Sequence, residues 1–150
     1  MKYLLVMFGL LISIQISHAD TAQDVNAEVS KIERLKEGAE RLIVSVESSE
    51  LENTPPKIDY YFNGETKNLI LARITSSKGI FLVVYSYYFK DGKPIKYLVE
   101  YIDHPENPAK QAIIYSDQKV IWSNVEAPVQ EPSSIKESFR ASLESIIRFR

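Results

Sequence analysis

His104 is the residue best suited to acid–base or metal chemistry, in the stretch Asp103-His104-Pro105-Glu106. An imidazole flanked by two carboxylates can move a proton or hold a cation. The spacing does not complete either site. The other histidine, His18, sits in an apolar leader, and the chain has no cysteine, so a zinc set of three or four nitrogen and sulfur ligands has nothing to draw on. A serine nucleophile would have to borrow His104, and no Gly-x-Ser-x-Gly elbow is present. Asp59 with Glu100, or Glu47 with Glu52, could form carboxylate pairs, but solvated surface charge explains them as well. Five scattered glycines make no phosphate-cradling loop. A hydrolase built on His104 is the weakest of three readings, and the chain is expected to be no enzyme and to need no cofactor.

Tyrosine carries more of the pattern. Tyr61, Tyr88 and Tyr115 recur every 27 residues, and their surroundings echo one another. Asp59-Tyr60-Tyr61-Phe62-Asn63-Gly64 resembles Ser86-Tyr87-Tyr88-Phe89-Lys90-Asp91-Gly92, and Ile113-Ile114-Tyr115-Ser116-Asp117-Gln118 is a weaker third copy. Alternation puts Tyr60, Tyr85, Tyr87, Tyr97 and Tyr101 on a core face and Tyr61, Tyr88 and Tyr115 on the opposite one. If that second face is open, three rings with Lys96 beside them form a binding platform of the kind protein interfaces use and sugar rings stack on. Tyrosine is also a good strand former that pairs across strands. Lys93-Pro94-Ile95-Lys96-Tyr97 alternates basic and aromatic residues, as single-strand nucleic-acid grooves do. A formal charge of −2 argues against that use.

The elements that would position these residues are readable from periodicity. Val25, Val29, Ile32 and Leu35 predict a helix over 20–37, capped by Asp20 or Thr21 and stopped at Gly38. Residues 40–47 alternate as a first strand. Three hairpins follow, 57–62 with 67–75, 80–89 with 94–103, and 111–116 with 119–125, with Asn63-Gly64 and Asp91-Gly92 as turn signals. Residues 126–132 link to a second helix. Ser134-Ile135-Lys136-Glu137 reads as its capping box, and Ile135, Phe139, Leu143, Ile146 and Ile147 as its apolar stripe. The strand–turn–strand unit is similar to MORN-type hairpin repeats over about 57–124, without most of that family's glycines. The chain also looks like many small exported bacterial proteins. Neither resemblance carries a functional residue across.

Residues 1–19 read as a signal peptide. Lys2 is followed by an apolar run from Tyr3 to Ile16 and by Ser17-His18-Ala19, with small residues two apart. The apolar run is short for a membrane span of about 20 residues. Cleavage removes Lys2 and makes the charge one unit more negative. Without cysteine, neither a disulfide scaffold nor lipid attachment at an N-terminal cysteine is available. The expected product is residues 20–150, a single exported α+β domain, periplasmic or secreted. Its fold is an antiparallel meander of about seven strands, with both helices packed on one face. The expected function is non-catalytic binding of another exported protein, as an inhibitor, immunity factor or adaptor, through Tyr61, Tyr88, Tyr115 and Lys96. A carrier holding a glycan or apolar molecule between sheet and helices is the second reading. No nucleic acid and no transmembrane segment after cleavage are expected, and the oligomeric state is open.

Overall fold

The computed structural model describes residues 21–45, 56–78, 81–102, 110–125 and 131–148. Residues 1–19, expected to be a signal peptide, His104 and most of the linker 126–132 lie outside the described residues. Helix α1 (Ala22–Leu35) leads through a 3₁₀ turn at Lys36–Gly38 into seven strands: β1 (Glu40–Ser45), β2 (Lys57–Phe62), β3 (Leu69–Lys78), β4 (Phe81–Lys90), β5 (Lys93–Ile102), β6 (Gln111–Ser116) and β7 (Lys119–Ser123). Helix α2 (Pro132–Arg148) follows. The strands form one antiparallel sheet in sequence order, each paired with its neighbour in the chain. The expected meander and its two helices are present.

Helix α1 begins as its sequence predicts. Thr21 Oγ1 accepts from the Asp24 amide at 3.2 Å, and Asp24 Oδ2 accepts from the Thr21 amide at 2.9 Å. Two otherwise orphaned N–H groups are thereby satisfied. Helix α2 starts three residues earlier than its capping-box signature suggests. The Glu131 carbonyl accepts from the Ile135 amide at 3.2 Å, which makes Pro132 the first helical residue. Proline suits that place because its missing N–H would have no partner there. Ser134 therefore lies inside the first turn, and its carbonyl accepts from Ser138 Oγ at 2.8 Å.

Each of the three repeated units contains a bulge at the same place. Phe62 pairs with Leu69 while Tyr61 pairs with Leu71, leaving Ile70 extra. Phe89 pairs with Pro94 and Tyr88 with Lys96, leaving Ile95 extra. Tyr115 pairs with Val120 and Ile114 with Trp122, leaving Ile121 extra. The structural equivalent of Tyr61 and Tyr88 is thus Ile114. Tyr115 matches Phe62 and Phe89, one residue out of step with the 27-residue spacing. Since strand neighbours point to opposite faces, Tyr115 lies on the other side of the sheet from the two tyrosines it was expected to join.

The helices lie on opposite faces, which corrects the expectation of one shared face. Val25, Val29 and Ile32 of α1 pack on Tyr61, Ile70, Leu71, Tyr88 and Ile95. Ile135 and Phe139 of α2 pack on Tyr60, Ala72, Phe89, Ile113 and Tyr115. Tyr60 and Tyr61 are adjacent and each is held by a different helix. Both faces of the middle strands are apolar, so both need cover.

The turns differ in chemistry. Asp91 and Gly92 close β4 to β5 with φ of 50° and 71°, the positive values a two-residue hairpin requires. The first hairpin closes differently. Asn63 Oδ1 accepts from the Glu65 and Thr66 amides, each at 2.9 Å, and Lys67, at φ 57°, takes the left-handed conformation in place of Gly64. In the third hairpin Asp117 (φ 46°) and Gln118 (φ 62°) both adopt it without glycine. A side chain in that region costs roughly 1–2 kcal/mol. Replacing Gln118 with Gly, the residue at the matching place in the second hairpin, is expected to raise stability by about 1 kcal/mol. Urea unfolding measures this, and an unchanged or lower midpoint would show that the turn stores no such strain.

Candidate functional site

The expected tyrosine platform is closed. Tyr61 and Tyr88 are 8% and 3% exposed beneath α1, and Tyr115 is 1% exposed beneath α2. Their polar ends are absorbed by neighbours. The Tyr88 hydroxyl donates to Glu33 Oε1 at 2.7 Å, and Arg73 Nη2 donates to the same oxygen at 2.9 Å. Lys36 Nζ donates to the other Glu33 oxygen at 2.7 Å, and Arg73 Nε reaches Ser86 Oγ at 3.3 Å. Lys96 Nζ donates to Asn26 Oδ1 of α1 at 2.7 Å. Burial lowers the Lys96 ammonium from its ordinary value, with Glu100 opposing.

A second polar group lies on the same face, nearer the β1 edge. Asp59 is buried and accepts from Arg41 Nη2 at 2.8 Å, with Lys57 Nζ at 3.5 Å. The Arg41 guanidinium also sits 5.6 Å from the centre of the Tyr61 ring, within cation–π range. Beneath α1 and beside it, acids and bases are matched to each other, and those on α1 clasp the helix to the sheet.

The charge states fit that role. Burial by itself would raise the Glu33 carboxyl, but hydrogen bonds from Lys36 and Tyr88 and the charge of Arg73 outweigh it and hold it below the usual carboxylate value. Burial first, and then the Glu33 carboxylate, push the Tyr88 phenol up. Burial also raises Tyr97, and raises Tyr115 to about 12. The folded protein therefore keeps phenolic protons that the unfolded chain releases above about pH 10. Their stabilising effect is complete below that pH and is lost as pH rises through about 12. Alkaline titration at 295 nm, followed in parallel by circular dichroism, should show the Tyr88, Tyr97 and Tyr115 phenols ionising only with loss of structure. Simultaneous, structure-preserving ionisation of all of them near pH 10 would contradict the assignment.

Among the described residues no three metal-ligating side chains come together. His104 lies outside those residues, so its expected neighbourhood is not part of the description.

What the sequence reading passed over is the far edge of the sheet. Val120, Ile121 and Trp122 of β7 are 40%, 39% and 44% exposed. The bulge position makes the contrast sharp, because Ile70 and Ile95 are buried under α1 and their counterpart Ile121 is not. A usable signal was present. The Leu69-Ile70-Leu71, Pro94-Ile95-Lys96 and Val120-Ile121-Trp122 triplets each follow a turn, which marks them as equivalents in the sequence. The opposite edge, β1, also exposes Ile43, at 48%, but its charges are engaged. Glu40 pairs with Lys67, and Arg41 with Asp59. Charge on an edge strand discourages strand addition, and β7 carries only Lys119.

A second concave feature lies on the other face. Ile135, Ser138, Phe139 and Ser142 recur along one side of α2 and bound an open cleft of about 240 Å³ against the sheet. No helix among the described residues is long and apolar enough to cross a membrane. Comparison with family models, curated proteins and solved structures finds no match.

Proposed function

We propose that this chain is an exported, non-catalytic interaction protein, inhibitor-, immunity- or adaptor-like, that binds another exported protein through the β7 edge. The observation that carries the reading is the run Val120-Ile121-Trp122, three consecutive large apolar side chains exposed on a terminal strand. A terminal strand presents backbone donors and acceptors that an added strand can pair with. β7 spans only Lys119–Ser123 and is bulged at Ile121, so few backbone bonds are on offer. Side-chain contacts must supply the rest, and tryptophan is among the residues most often found to dominate interfaces. Export rests on the leader at 1–19, and the absence of turnover on the matched polar groups under α1.

The contact residues differ from those expected at first. Truncating Tyr61, Tyr88 or Tyr115 removes core, so loss of binding in such variants reports unfolding. The test is affinity capture from envelope and culture extracts, comparing the wild type with Ile121→Lys and Trp122→Ser variants shown to be folded by circular dichroism. The expected result is a protein retained by the wild type and bound at least about tenfold more weakly by both variants. Equal retention by all three would remove the β7 edge as the interaction surface.

A further inference from the structure

We propose that the cleft between α2 and the sheet binds a small uncharged molecule, an alcohol or phenol with an apolar ring or short chain. Its sheet side is formed by Ile58, Ile74 and the rings of Tyr60 and Tyr87, facing the α2 side chains already described. None of the described residues lining it is an acid or a base, whereas the clefts near the turns carry Lys93, Lys136 and Arg140, or Lys90 with Asp91 and Asp117. An ion placed against aliphatic and aromatic walls would lose its hydration with no counter-charge to replace it. The cleft therefore selects neutral occupants.

Its walls are held before any ligand arrives. Phe139 stands edge-on to Tyr60, Tyr87 and Phe89, with centroid distances of 6.1, 4.8 and 5.7 Å. The Tyr60 and Ser142 hydroxyls share a hydrogen bond of 2.9 Å, which ties α2 to β2 at one end. Interlocked rings of this kind are a preformed apolar surface.

The polar requirement follows from Ser138. Its hydroxyl proton is donated to the Ser134 carbonyl at 2.8 Å, which leaves the oxygen to act as an acceptor. The matching ligand group is an uncharged O–H or N–H. Size is set by the volume. About 240 Å³ corresponds to about eight waters at about 30 Å³ each, or on the order of ten heavy atoms.

The test is independent of the β7 reading. 1-Naphthylamine, a neutral fluorophore of about that size whose amine supplies the N–H donor, is titrated into the purified protein and then displaced with 1-octanol or with octanoate. The expected result is saturable enhancement at one probe per chain, with octanol at least tenfold more effective than octanoate. Ser138 is exposed, so Ser138→Phe should fill the cleft mouth without disturbing the fold and abolish the enhancement. Ile74→Phe narrows the cleft from the sheet side and serves as a second filling variant, while Ile121→Lys should bind the probe as the wild type does. Absence of saturable enhancement, full enhancement in both folded filling variants, or equal displacement by octanoate would overturn the proposal. Probe binding that weakens as protein concentration rises would give the cleft to a second copy of the chain and would overturn it too.

Discussion

Replacing Phe139 with alanine is expected to cost about 3–5 kcal/mol, the range for deleting a large aromatic side chain from a core. Phe139 is 8% exposed and is the ring around which Tyr60, Tyr87 and Phe89 are arranged. Alanine would leave a void bounded by three rigid rings that cannot collapse into it, which places the loss toward the upper part of that range. Against a typical total stability of 5–15 kcal/mol, such a loss removes much of the margin. Urea or thermal unfolding measures it. A loss below about 1 kcal/mol would mean that α2 is not anchored by this residue.

The second large effect belongs to the other face. Ile32 is 2% exposed and packs among Tyr61, Ile70, Leu71 and Tyr88, so Ile32→Ala is expected to cost about 2–5 kcal/mol. The two sites also test the placement of the helices. Ile32 and Phe139 belong to separate clusters with no shared member, and sites without common partners add to within about 0.5 kcal/mol. The milder pair Ile32→Val and Phe139→Leu keeps the double variant folded enough to measure. Additivity is the expected outcome. A coupling above about 1 kcal/mol would place the two helices against each other on one face.

The elements themselves were legible in the sequence. The Val25-Val29-Ile32 stripe, the Thr21 cap and the Asp91-Gly92 turn each act through neighbours a few residues away, and each is present as expected. The face of each helix was not legible, because strand alternation shows which residues share a side and leaves open which helix covers it. Asp59 and Lys96 made the Tyr61 and Tyr88 side look like an open mixed surface. In the fold Arg73 and Lys96 meet Glu33 and Asn26 from α1, and Asp59 meets Arg41 from β1. Those partners lie 40, 70 and 18 residues away in the chain, beyond what local pattern reports. Tyr115 was misplaced for a narrower reason. Its spacing copies Tyr88, but the two-residue pairing at the bulge puts Ile114 in the equivalent place. Alignment on the bulged isoleucines 70, 95 and 121 would have given the correct phase and drawn attention to Trp122.

Because strand order equals chain order, every strand after β1 finds its partner already in the segment just before it. Assembly can proceed by adding one ribbon at a time, with short loops to close at each step and little entropy lost in closing them. The face under α1 can fill from its first strands onward, since its helix precedes them all. The face under α2 cannot, since its helix follows β7 and the Tyr60–Ser142 bond spans 82 residues. Folding should therefore pass through a stage with one layer of the sheet sealed and the other still wet, and the rate of reaching the native state should be set by the arrival of α2.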